Sequence, residues 1–98
     1  MADFCITAVK YSPDKKHIDW AQVREETWGG KVSTGVRLVQ RAFLVDLIRL
    51  GLVSFQTKTQ DRDGTWRDGD NVTIYDDKYL TTEGNGTERD NLGSLPTF

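Results

Sequence analysis

Val36-Arg37-Leu38-Val39-Gln40-Arg41-Ala42-Phe43-Leu44-Val45-Asp46-Leu47-Ile48-Arg49-Leu50, followed by Gly51, decides how this 98-residue chain is read. Val36, Val39, Phe43, Leu47 and Leu50 recur at three- and four-residue spacing, the period of one helical face. The spacing predicts one long helix from Val36 to Leu50. Ser33 or Thr34 would cap it by taking up a free backbone N–H. Gly51 would end it, because glycine adopts the left-handed closing conformation without steric cost. On this reading the stripe lies on a sheet, with Leu44 and Ile48 at its flank. Leu38 and Val45 fall on the far side among arginines. A helix over one sheet has one face to bury, so Leu38 and Val45, flanked by Arg41 and Arg49, read as the interface of a homo-oligomer.

Upstream, Phe4 to Tyr11 is rich in β-branched and aromatic residues and reads as a strand. Pro13 and Asp14 supply turn chemistry, and His17 to Thr27 reads as the returning strand of a hairpin. Its apolar phase shifts by one between Trp20 and Ala21, as a β-bulge would shift it. Downstream, Leu52 to Thr59 and Gly64 to Arg67 read as strands, and Val72 to Asp76 pairs with Lys78 to Thr82. Residues 60–64 and 68–71 carry the Asp, Asn and Gly of turns. The expected architecture is α+β and single-domain over residues 1–98. It comprises an N-terminal β-hairpin, one long helix on one sheet face, and an antiparallel meander of three to four strands. Residues 83–98 form an irregular tail, anchored by Leu92 and Leu95.

Composition excludes several classes. A net charge of -2 and a pI near 5.3 argue against a duplex-DNA binder, which needs a basic surface. One cysteine excludes an internal disulfide framework and a cysteine-rich zinc site. Cys5, in an apolar strand, reads as an inert core thiol. The longest uncharged apolar run, Ala42 to Val45, is far short of the ~20 residues that span a bilayer. Met1-Ala2-Asp3-Phe4 opens without a basic and apolar leader, so a cytoplasmic location is expected.

Catalytic signals are sparse. His17, the single histidine, lies at a turn-to-strand junction beside Lys15 and Lys16. Glu25 and Glu26 would point to opposite faces of an extended strand. No catalytic residue, cofactor or metal ligand is assigned. Thr59-x-Asp61-x-Asp63-Gly64, with Asp70 at the twelfth place, echoes a calcium loop. Its first ligand is Thr, its last is Asp, and its flanks read as strands, so turn chemistry accounts for it. The better ligand site is the start of the helix. There Trp28, Gly29, Gly30, Lys31, Ser33, Thr34 and Arg37 would offer free N–H groups, two hydroxyls, two cations and a stacking ring to one anion. An ordinary capped helix behind a loose loop is the plainer alternative.

Ile6-Thr7-Ala8-Val9, Leu47-Ile48-Arg49-Leu50-Gly51, Tyr79-Leu80-Thr81-Thr82, Asn85-Gly86-Thr87 and Asp90-Asn91-Leu92-Gly93-Ser94-Leu95-Pro96 together resemble family 3892 of the domains of unknown function. These are small single-domain proteins of bacteria and their phages. The resemblance implies a compact α+β fold of this length and supplies no activity. The residues themselves point to a non-enzymatic, oligomeric binding protein for a protein partner or a small anionic ligand, such as a signalling nucleotide or a host defence protein. A carboxylate-dependent hydrolase or transferase with its site in an oligomer cleft is the alternative. A third reading is an acidic nucleic-acid mimic using Asp61, Asp63, Asp68 and Asp70.

Overall fold

The computed structural model describes residues 3–13, 17–27, 31–75, 79–82 and 95–98. The chain is α+β but dominated by strands: β1 Phe4–Tyr11, β2 Ile18–Thr27, β3 Lys31–Gln40, α1 Arg41–Leu50, β4 Phe55–Gln60, β5 Trp66–Tyr75 and β6 Tyr79–Thr82. The strands form one six-stranded sheet in the order β3-β2-β1-β4-β5-β6. Every neighbouring pair is antiparallel except β1 and β4. β1 is central because its run from Cys5 to Val9 is buried on both faces, the mark of a strand covered on each side.

The helix is shorter than the sequence suggested. Lys31–Gln40, assigned there to a capped helix start and its first turns, is an edge strand paired with β2 from Thr27↔Lys31 to Trp20↔Gln40. Its composition explains the difference. Val32, Thr34, Val36 and Val39 are β-branched and Gly35 interrupts the stretch, all unfavourable inside a helix. Strand pairing gives the same backbone groups their partners. The N-terminal hairpin is thus a three-stranded meander. α1 begins at Arg41 behind Gln40, whose backbone is extended (φ -72, ψ 146) and which gives no side-chain cap bond. Gly51 closes it at φ 69, its N–H donating to Ile48 O at 3.0 Å.

The later start also changes the inward face. Leu44 and Val45 are buried, Leu47 and Ile48 half-buried. Phe43 and Leu50, read from the sequence as part of the core stripe, are 55% and 58% exposed. The expected interface of Leu38, Arg41, Val45 and Arg49 therefore does not form one surface. Leu38 projects from β3 at 60% exposure, whereas Val45 packs into the core at 6%. Arg49 pairs along the helix with Asp46 at 3.3 Å.

β3 and β4 both run parallel to β1, so the chain must cross a sheet face between them, and α1 makes that crossing. It touches β2 and β3 on one side and β5 and β6 on the other. Beneath it lie Ile6, Val9, Ala21, Val23, Phe55, Val72 and Leu80. β5 is a single ten-residue strand, where the sequence suggested two strands and a turn. Asp68-Gly69-Asp70 is a bulge opposite Thr57, where the register slips between Gln56 and Lys58. A Cβ on Gly69 would lie 2.1 Å from Thr57 Oγ1, and that hydroxyl accepts from Asp70 N–H at 3.0 Å. Glycine is required there for close approach.

At its far end β1 pairs with the C-terminal residues. Val9 N–H donates to Pro96 O at 2.9 Å, and Phe98 N–H donates to Val9 O at 3.1 Å. Leu95 is buried beside this bridge. The other expected tail anchor, Leu92, lies outside the described residues.

Candidate functional site

Among the described residues, a groove of about 760 Å³ lies on the helix side of the sheet. Phe4, Val23 and Phe55 form its floor, from three adjacent strands. Phe43, Leu44 and Leu47 of α1 form one wall, and Val39 of β3 the other. Phe4 and Phe55, brought side by side by the parallel register, stack with centroids 5.8 Å apart. The groove exists because α1 crosses the sheet with Leu44 and Val45 turned inward. The next stripe, Phe43 and Leu47, is left facing sideways over β2 and β1.

Three residues with polar side-chain groups also line it: Trp20, Gln40 and Arg37. Arg37 carries the one charge among the described lining residues. The register pairs Arg37 with Val23 and Val39 with Ala21, placing all four on the helix side. The Arg37 side chain makes no hydrogen bond or ion pair with any described residue. Its Nη1 lies 3.3 Å from where a Cβ on Gly35 would stand, and Ser33 Oγ lies 3.6 Å from that point.

The ligand site expected from the sequence is therefore relocated. Lys31, Ser33, Thr34 and Arg37 lie on β3, so no helix dipole or free helical N–H groups are present among them. Ser33 Oγ accepts from Gly35 N–H at 3.1 Å. Ser33 and Thr34 carbonyls accept from Arg24 Nη1 at 3.1 and 3.2 Å. Ser33 and Arg37 do share one side of β3, flanking Gly35. Trp28, Gly29 and Gly30 lie outside the described residues.

The opposite face, which no helix among the described residues covers, holds a polar cluster that sequence reasoning missed. Lys58 of β4, its side chain 4% exposed, lies 3.5 Å from Glu26 of β2 and 3.0 Å from Asp68 of β5. The Glu26 side chain is 1% exposed, and Gln56 Nε2 donates to its other oxygen. The ion pairs thus bridge β2 to β5 across the central strands. Burial pulls the Lys58 ammonium down, but Asp68 and Glu26 outweigh it and hold its pKa above the usual value. Cys5, fully buried at the same level of the sheet, has its thiol pushed up to about 11 by burial and then by the Glu26 charge. That leaves little thiolate at neutral pH. The Arg24 guanidinium carbon lies over the Trp66 ring, 5.5 Å from its centroid. The signal in the sequence was Glu25-Glu26: on one extended strand the first is exposed and the second buried.

The acidic loop serves local structure. Asp61 pairs with Arg67, and Asp63 accepts from Thr65 N–H at 3.0 Å, which lowers its pKa. With Asp68 held by Lys58, two of the four aspartates read as a nucleic-acid mimic are charge-paired. Among the described residues no three His, Cys, Asp or Glu side chains gather as a metal site. His17 stacks on Tyr79 at 5.6 Å. No helix among these residues is long and apolar enough to cross a membrane.

Fold and groove together define an α+β protein with a mostly antiparallel sheet, one crossing helix and an apolar cleft beneath that helix. The chain belongs to the family described as Protein of unknown function (DUF3892), whose model matches residues 5–96. That span takes in the helix and, apart from Phe4, every strand. No curated protein and no solved structure matches it.

Proposed function

We propose that this chain is a non-catalytic binding protein whose ligand occupies the groove between α1 and strands β2 and β3. The observation that carries the reading is the groove itself: about 760 Å³, apolar on floor and walls, with three polar side chains also lining it. Small-molecule sites have this build, roughly 300–1,000 Å³ of apolar lining with a few oriented polar groups. The described lining holds an aromatic floor, an amide, an indole and a guanidinium, groups that bind and orient. It holds no imidazole, thiol or carboxylate to move a proton. A signalling nucleotide, with several phosphates, suits this groove poorly.

Titration with Nile red, a neutral apolar dye, tests the reading. Saturable fluorescence enhancement near one dye per chain is expected. Phe43→Ser should weaken it several-fold, roughly as loss of one aromatic contact demands. Leu52→Ser, at a residue 71% exposed and outside the groove, should leave it unchanged. Absence of saturable binding, or equal loss in both variants, would refute it.

A second copy of the chain is the partner we assign to β3. It is a ten-residue edge strand with Val36 and Leu38 39% and 60% exposed. An open strand edge of that length is a template for strand pairing. Light scattering across a concentration series should show a dimer, and Leu38→Lys should return it to monomer. A wild-type monomer at high micromolar concentration would rule this out.

A further inference from the structure

We infer that the groove ligand carries one negative charge, a carboxylate at the end of an apolar body, and that Arg37 receives it over the gap left by Gly35. The inference rests on the groove reading and goes further by naming the ligand's chemistry. Three observations carry it. Arg37 is the one charged group among the described lining residues. Its side chain has no hydrogen bond or ion pair with any described residue, so its donors are open to a ligand. Gly35 leaves space in which the guanidinium lies back along β3. A Cβ there would come within 3.3 Å of Nη1, so the guanidinium would have to give by a few tenths of an ångström.

Charge and shape then select the ligand. A guanidinium offers two parallel N–H donors that match a carboxylate. A single cation beside an apolar groove balances a monoanion and leaves a dianion half-compensated. A neutral amphiphile gains only the apolar term, and a cationic one is repelled by Arg37. Ser33 Oγ lies on the same side of Gly35. Arg37 is thus a binding residue, and Gly35 acts through it as a positioning residue.

Displacement of Nile red by four ligands of one chain length tests this: dodecanoate, dodecyl phosphate, dodecanol and dodecylamine. Dodecanoate should bind wild-type protein about tenfold or more tighter than dodecanol, in line with a charge-assisted hydrogen-bonded pair. Arg37→Gln should abolish that preference and leave dodecanol unchanged. Arg37→Lys should restore part of it. Gly35→Ala should reduce it about threefold with no change for dodecanol, a split that a general structural defect would not produce. The preference should also fall with added salt, since Arg37 is exposed.

Each failure has a separate meaning. If Nile red does not bind, the groove reading falls. If dodecanol binds as well as dodecanoate, or Arg37→Gln keeps the preference, the charge assignment falls and the groove survives. If dodecyl phosphate wins by more than tenfold, the carboxylate is overturned in favour of a phosphate head.

Discussion

Replacing Lys58 by Met tests the physical account of the face opposite α1 most directly. Met keeps the stem that fills the site and removes the ammonium. Glu26, 1% exposed, would then keep only the bond from Gln56. Removing one partner of a buried pair costs about 3–5 kcal/mol, because the other charge stays desolvated. The parallel loss at Asp68, 75% exposed, adds little, since exposed pairs contribute about 0–1 kcal/mol. We expect a loss near 3 kcal/mol in urea unfolding at pH 7, a large share of the ~5–15 kcal/mol a domain possesses. Adding Glu26→Gln should recover most of the loss. A Lys58→Met protein within about 0.5 kcal/mol of wild type, or a Glu26→Gln addition that recovers none of the loss, would refute the reasoning.

Other outcomes follow from the same geometry. Gly69→Ala should cost more than about 2 kcal/mol by thermal unfolding, because the bulge backbone must leave Thr57. Leu44→Ala should cost about 2–5 kcal/mol and Phe43→Ala about 1 or less. The reverse order would mean that the helix is turned the other way. Alkaline titration of stability should fall between pH 9 and 11, since the buried Cys5 thiol ionises later in the folded chain than in the unfolded one. Cys5→Ala should remove that limb. Lys58, also raised, adds loss only above its unfolded value. At the acid end Asp3, lowered by the Ser54 N–H and hydroxyl, contributes stability above its unfolded value that is lost as pH falls below about 4. Asp3→Asn should blunt that acid limb.

The sequence made the strands legible where composition and alternation agreed. Phe4 to Tyr11 and His17 to Thr27 were readable because β-branched residues and a bounding turn pointed the same way. Gly51 was readable as a helix stop because its role is local. The helix start was not readable. Val36, Val39 and Phe43 fit a helical period and also fit a strand joined to a helix. What separates the two is the open edge of β2, a partner that no local window contains. The error then spread: shifting the first turn exposed Phe43 and buried Val45, inverting the expected interface. Likewise Lys58 and Glu26, over thirty positions apart in the chain, gave no sign of meeting. The groove could be seen only once three strands and α1 were in place. Arg37 and Ser33, chosen for a helix terminus, remained near a candidate site because they still share one side of the strand.

The single parallel ladder has a kinetic consequence. β1 and β4 meet over Phe4↔Phe55, Cys5↔Gln56 and Ile6↔Thr57, and Asp3 reaches Ser54 across a separation of 51 positions. Each three-stranded meander closes through near neighbours, whereas the junction between them waits on a distant encounter. Contacts of that span slow the search for the native state. The junction, not either meander, should therefore set the rate at which this molecule assembles, and lesions at Phe4 or Phe55 should retard refolding more than they accelerate unfolding.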